Sequence, residues 1–195
     1  MTTLPAHVPP AELAVLPHGL AIRPMLVSDL DAVMVIEQQS LSAPWAAAGY
    51  AHELRNNTLA TYQVLQRSIS AETHLLGYVG HWIIADECHI SIIAVAPQWR
   101  RRRLGELLLL GTLFVALSQQ ATLVTLEVRR SNTIAQSLYS KYRFEKAGVR
   151  KGYYRDTGED GLIMTVQPLD REYQRFLHTQ CDELISYLTT RLDTE

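Results

Sequence analysis

Residues 106–118 form a thirteen-residue run in which only Glu106 is charged, and only Thr112 and Ser118 are otherwise polar. As a helix this run is apolar on every side, and such a helix is stable in water only when the rest of the chain encloses it. It is shorter than the roughly 18 residues a membrane span needs, so it predicts a helix at the centre of a globular domain. A strand-like stretch, Ile90-Ser-Ile-Ile-Ala-Val95, precedes it, followed by Pro97-Gln98-Trp99, four consecutive arginines at 100–103, and Leu104-Gly105 at the helix start. The first N–H groups of a helix have no partner within it, and the positive end of the helix dipole points the same way. With guanidinium groups beside them, this strand–loop–helix junction suits an anion such as a pyrophosphate. Taken alone, a solvated charge run or a loose RNA contact accounts for the arginines equally well.

The rest of the chain alternates strands and helices. Residues 20–25 read as a first strand, and Ser28 as the N-cap of a helix that carries Leu30, Val33, Met34 and Ile36 on one face and ends near Ser40. Pro44 holds 41–45 in a loop before a second helix over 46–55. Strands are expected at 61–66, 75–84 and 89–95, the last two joined by a turn at Ala85-Asp86-Glu87. Beyond the central helix come a strand over 123–128, a helix capped by Ser131 or Asn132 with Ile134, Leu138 and Tyr142 on one face, and a hairpin of strands at 147–154 and 162–166. This order predicts an α/β domain over 20–169, with a mixed sheet of six or seven strands and about four helices, after a Pro-rich extension at 1–19. In the tail, 170–195, Tyr173, Leu177, Cys181, Leu184, Leu188 and Leu192 recur at helical spacing. They predict an amphipathic helix that packs on its own domain or against a partner.

The net charge is only −2, but it is unevenly distributed. Residues 98–155 hold twelve bases against three acids (Glu106, Glu127, Glu145), a net of +9; the remainder has six bases and seventeen acids, a net of −11. A basic segment inside an acidic chain points to an anionic ligand. Cys88 and Cys181 are too few for a disulfide framework and too far apart for a C-x-x-C site. The first ten residues contain three prolines and no basic start of a signal peptide, so a cytoplasmic protein without a membrane segment is expected. The seven histidines (7, 18, 52, 74, 81, 89 and 178) lack metal-ligand spacing, and neither G-x-S-x-G nor a P-loop signature occurs, so no metal is expected.

Val95-Ala-Pro-Gln-Trp-Arg-Arg-Arg-Arg-Leu-Gly-Glu-Leu-Leu109 resembles the acetyl-CoA loop of the GNAT N-acetyltransferases, whose motif is Gln/Arg-x-x-Gly-x-Gly/Ala. Arg100 and Gly105 match its ends, while Arg103 stands where the motif has its middle glycine. Glycine serves where the backbone takes a conformation other residues avoid or approaches a ligand closely, so Arg103 bears on how this loop would hold its cofactor. Leu126-Glu-Val-Arg129, Ser131-Asn132, Ala135, Leu138-Tyr139, Phe144, Arg150, Tyr153-Tyr154 and the acidic turn Gly158-Glu-Asp160 resemble the ribosomal-protein alanine N-acetyltransferase branch, over about residues 21–169. The resemblance implies a GNAT fold, acetyl-CoA as co-substrate, and a protein N-terminus, that of ribosomal protein S18, as acceptor. It implies Glu127 as general base and Tyr139 as general acid. It also implies that Ile93, Ala94 and Val95 hold the acetyl-pantetheine arm, that Arg100, Arg101, Arg102, Arg103, Leu104, Gly105 and Glu106 hold the pyrophosphate, and that Asn132 touches the cofactor. The acceptor peptide would lie between Trp45 and the pair Tyr153 and Tyr154. A transient ribosome contact, no dedicated DNA binding, and a monomer or weak dimer complete the expectation.

The residue types suit this chemistry. A chain terminus has a pKa of about 8 against about 10.4 for lysine, so its deprotonation at neutral pH costs roughly 3 kcal/mol less. Glu127, through water, can accept that proton; Tyr139 can supply one to a departing thiolate; a backbone N–H at Val95 can polarise the carbonyl. Read singly, Glu127 is more often an edge or salt-bridged strand residue, Tyr139 a core aromatic and Asn132 a helix cap, a role that does not prevent a cofactor contact. Tyr153 and Tyr154 should face opposite sides of a strand, and Glu37 reads as a solvent-exposed helix carboxylate, ahead of a group that attracts the acceptor's amino terminus. Two other functions stay open: a GNAT enzyme for other N-termini or small amines, and a non-catalytic module that binds CoA or RNA.

Overall fold

The computed structural model describes residues 13–70 and 72–192, so most of the Pro-rich leader lies outside the described residues. Seven strands form one sheet: β1 (Leu20–Pro24), β2 (Ala60–Ile69), β3 (Glu72–Ile84), β4 (Glu87–Val95), β5 (Leu123–Arg129), β6 (Glu145–Tyr154) and β7 (Glu159–Val166). Their spatial order is β1-β2-β3-β4-β5-β7-β6, with every neighbouring pair antiparallel except β4 and β5. The helices are α1 (Leu30–Ser40), α2 (Ala47–Asn56), α3 (Leu104–Ser118), α4 (Thr133–Lys141) and α5 (Arg171–Arg191). This is the mixed α/β architecture expected from the order of elements.

The apolar helix takes the central place its composition demands. On one face of the sheet α3 packs against Ile90, Val124, Leu126 and Val128, with Leu177, Leu184 and Leu188 of α5 covering it from outside. Leu13 and Leu16 join the same core, and a side chain at Gly111 would begin 3.4 Å from Leu13, so the glycine admits the chain's first described residues onto α3. The opposite face is a smaller core in which α1 and α2 cover Tyr62, Val64 and Tyr78. The apolar stripe of α5 is thus buried on its own domain. None of the described helices is long and apolar enough to cross a membrane.

Ser28 does not cap α1. It lies in a tight turn, Val27–Asp29, and Asp29 accepts the Leu26 N–H at 2.7 Å while binding Arg23 at 2.7 and 2.8 Å. A carboxylate already held by a guanidinium is a stronger acceptor than a serine hydroxyl.

One irregularity positions everything that follows. Gly80 pairs with Ile92 but His81 pairs with Ile90, so Ser91 is an extra residue in β4. A bulge inverts the alternation of the strand. Ile90 accordingly packs toward α3, whereas Ile92 packs toward α1 and α2. At the same point the parallel ladder ends, its last pair being Ile90 with Leu126. Beyond it β4 and β5 part.

Candidate active site

The parting leaves one edge of β4 open. The Ala96 N–H donates to the Leu76 carbonyl at 2.8 Å, so strand alternation turns the main-chain groups of Ile93 and Val95 away from β3, toward the gap. The Val95 carbonyl on that side accepts Nε of Arg100 at 3.0 Å. Ala94 instead pairs with Tyr78 and buries its side chain.

At the end of β4 the arginine loop enters α3. Arg101 and Arg103 both lie in the left-handed region, at φ 63° and 58°, and the Leu107 N–H reaches back to the Arg103 carbonyl at 3.1 Å. The N–H groups of Leu104, Gly105 and Glu106 precede that first helical bond and so lack acceptors within the helix. The four guanidinium groups diverge. Arg100 binds Ser40 Oγ at 2.8 Å, Arg102 lies 4.9 Å over the Trp99 ring, Arg103 grips Glu106 at 2.8 Å twice, and Arg101 is exposed. The donors left without helical acceptors at this junction are therefore main-chain N–H groups, and the four guanidinium groups form no single cluster.

Across the gap stands Glu127. Val124, Leu126 and Val128 of β5 face α3, which turns Glu127 to the other side of the sheet. Its Oε2 accepts Nε2–H of His89 at 2.8 Å, its Oε1 pairs with Nε of Arg150 at 2.9 Å, and the side chain is only 7% exposed. The His89 hydrogen bond holds the carboxyl below the usual glutamate range, against the pull of burial, with the charges of His89 and Arg150 adding to it. The base candidate is therefore ionised, and both its oxygens are fixed. His89 is absent from the sequence expectation, because only the β4–β5 register brings it beside Glu127.

Tyr139 lies half-buried on α4, its ring 5.8 Å from Phe144, and burial pushes its hydroxyl well above the usual tyrosine range. Tyr154 lies within electrostatic reach of both Tyr139 and Glu127. The strand expectation for Tyr153 and Tyr154 needs correction. A register shift between Arg150 and Tyr154, with Gly152 at φ +56°, brings the two rings into edge contact at 5.1 Å. Tyr153 is 43% exposed and stacks with Arg150 at 5.4 Å. Asn132 is exposed and caps α4 through its side chain, which accepts the Ala135 N–H at 3.1 Å.

Residues 30–144 match the Acetyltransferase (GNAT) family. The chain belongs to the GNAT family. This GNAT enzyme is an acetyl-CoA-dependent N-acetyltransferase. It is 41% identical over 146 residues to a Bacillus subtilis protein provisionally named ribosomal protein bS18-alanine N-acetyltransferase, covering 75% of this chain and 94% of that one. A Salmonella typhimurium ribosomal protein bS18-alanine N-acetyltransferase is 30% identical over 141 residues, covering 71% and 91%. The crystal structure of the Escherichia coli ribosomal-protein-S18-alanine N-acetyltransferase superposes with a TM-score of 0.67 at 27% identity, covering 76% of this chain and 94% of that one.

In this GNAT chain the loop after α1 is tied down from both sides. Glu37 is fully buried, not solvent-exposed: it accepts the Trp45 N–H at 2.8 Å, the Tyr50 hydroxyl at 3.2 Å and the Tyr78 hydroxyl. Periodicity misplaced it because the two tyrosines that receive it come from α2 and β3. Trp45 is held at its backbone while its ring stays 48% exposed, 5.5 Å from Tyr50. On the other side Ser42 bonds to Asp156 and, at 3.0 Å, to Arg129, joining this loop to the β6–β7 turn. Arg129 also holds Asp156 at 2.7 Å and stacks on Tyr154 at 4.0 Å, while Arg130 and Lys151 share Asp160. Arg129, Arg130 and Lys151, three of the bases in 98–155, are thus answered by acids of the last hairpin.

Proposed function

We propose that this enzyme transfers acetyl from acetyl-CoA to the α-amino group of a protein N-terminus, the alanine of ribosomal protein bS18, with Glu127 as general base and Tyr139 as general acid. The observation that carries this reading is the Glu127 carboxylate, ionised and held at both oxygens where β4 and β5 part. The bS18-directed names of relatives that cover most of the domain support the choice of acceptor.

The open edge and the loop fit the cofactor. Acetyl-CoA supplies an activated acetyl group on sulfur. The main-chain groups of Ile93 and Val95 face the gap that the pantetheine arm would line, with Ala94 setting their register from the β3 side. The N–H groups of Leu104, Gly105 and Glu106, presented by the left-handed turns at Arg101 and Arg103, are the donors for the pyrophosphate. Arg101, Arg102 and Arg100 add charge at its rim, and Asn132 sits at the start of the helix across the gap.

Glu127 takes the proton from the acceptor ammonium through water, and the Val95 N–H polarises the acetyl carbonyl from a position fixed before reaction. As the nitrogen bonds the acetyl carbon and the carbon–sulfur bond breaks, Tyr139, protonated at neutral pH, donates its proton to the departing sulfur and regains one through water from the nitrogen, which is left as the neutral amide. Trp45, exposed on the loop after α1, and Tyr153, exposed near the end of β6 beside the turn to which Ser42 and Arg129 tie that loop, line the acceptor's approach together with Tyr154. Residues 20–169 are the catalytic domain, flanked by two extensions; the protein is a cytoplasmic monomer or weak dimer that meets the ribosome transiently, and the burial of the α5 stripe on its own domain favours the monomer. Incubating the protein with acetyl-CoA and short peptides tests the proposal. A peptide with the bS18 N-terminus should release thiol and gain one acetyl group on its α-amine; transfer to polyamines with none to any peptide would refute it.

A further inference from the structure

Arg103 turns away from the mouth of the loop. Its backbone is left-handed, at φ 58° and ψ 15°, a conformation that a residue with a side chain holds only when its surroundings impose it. Its Nε and Nη2 donate to the two oxygens of Glu106 at 2.8 Å each. Glu106 is 6% exposed and is held in turn by Lys141 at 2.6 Å and the Tyr142 hydroxyl at 2.9 Å, both at the end of α4. The outer face of the same guanidinium lies 4.8 Å from the ring centre of Tyr187 on α5. Tyr187 is half-buried, and α5 lies outside the span, 30–144, that matches the family.

We infer that Arg103 is a positioning residue for the cofactor loop, and that the C-terminal helix, through the stacking of Tyr187 on Arg103, helps set the affinity for CoA. The inference rests on residues 100–106 being the pyrophosphate loop. The left-handed turn at Arg103 aims the N–H groups of Leu104 and Gly105 outward. Glu106 holds the edge of the guanidinium through Nε and Nη2 and the Tyr187 ring packs against it, so the loop stays in the shape that receives phosphate before any ligand arrives. A cation over an aromatic ring shielded on one side contributes enough for several-fold effects on a coupled equilibrium.

Calorimetric titration of CoA into the full chain, with steady-state kinetics, tests this. Tyr187→Leu keeps an apolar residue on α5 but removes the ring; it should weaken CoA binding and raise the KM for acetyl-CoA about three- to tenfold, with a smaller change in kcat. Tyr187→Phe should restore both. In an Arg103→Gly background, where no guanidinium remains to hold, Tyr187→Leu should have no further effect. Unchanged CoA binding by Tyr187→Leu, or the same loss with and without Arg103, would overturn the inference while leaving the loop's role intact. Wild-type protein that bound no CoA would overturn the loop's role itself.

Discussion

His89 pairs with Thr125 in the parallel ladder but sends its side chain two residues further along β5, where Nε2 meets Oε2 of Glu127 at 2.8 Å. Arg150 of β6 occupies the other oxygen at 2.9 Å. Three strands therefore fix one carboxylate. Glu127→Gln keeps the shape of the group and removes its basicity. It should lower kcat/KM by about 10²- to 10⁴-fold, the usual contribution of a positioned base, while CoA binding by calorimetry stays close to wild type.

The same contact carries a pH signature. The folded carboxyl of Glu127 titrates below its unfolded value, chiefly through the His89 hydrogen bond. Its contribution to stability is therefore present above the ordinary glutamate range and is lost as pH falls through the folded value. Removing the donor in His89→Ala should raise the Glu127 ionisation toward the ordinary range, although Arg150 still opposes the shift. Carbon-13 NMR of labelled glutamate carboxyls, following the signal that Glu127→Gln abolishes, measures it. An unmoved titration would show that Arg150 alone holds the charge.

The Tyr139 hydroxyl is protonated at neutral pH, and burial moves its ionisation still higher, so it carries the proton a donor needs and is not available as a base. Tyr139→Phe should reduce kcat about 10²-fold with little change in the KM for acetyl-CoA. Thiol release followed at saturating acetyl-CoA is the readout, and full activity in the folded variant would remove Tyr139 from the mechanism.

Glu37 offers a test that separates the acceptor loop from the chemistry. Glu37→Ala leaves the Trp45 N–H and the hydroxyls of Tyr50 and Tyr78 without their shared acceptor. Buried groups so orphaned make a loss of about 2–4 kcal/mol the expected cost, read by chemical denaturation. Burial raises the Glu37 ionisation, against the Trp45 and Tyr50 hydrogen bonds. A raised folded value means that its contribution is full at acid pH and lost as pH rises through that value. Glu37→Gln, which keeps an acceptor oxygen and cannot ionise, should make stability less dependent on pH just above the ordinary glutamate range. With peptide acceptors, Glu37→Ala should also raise the peptide KM more than it alters the KM for acetyl-CoA, because Trp45 loses its anchor.

Much of this protein was legible before any coordinates. An apolar run at 106–118 has no stable place except inside, so the central helix followed from composition, and the alternation of strand and helix patterns gave the mixed sheet around it. Glu127, Tyr139, Asn132 and the arginine loop could be singled out because their signals are local: a motif, a cap, a charge run. What the tertiary structure decided is non-local. The bulge at Ser91 has no signature in Ile90-Ser-Ile-Ile, since apolar residues suit both faces of a covered sheet; only the register against Gly80 and His81 exposes it. His89 and Arg150 meet Glu127 from strands 38 and 23 residues away along the chain, and Glu37 is buried because Tyr50 and Tyr78 converge on it from different elements. A run of four arginines announces charge, but their destinations were set by which neighbours lay within reach of each side chain: Ser40 for Arg100, Trp99 for Arg102, and Glu106 and Tyr187 for Arg103. Local patterns specify elements because they depend on backbone periodicity. The partners of long polar side chains depend on distances that exist only after the chain has folded.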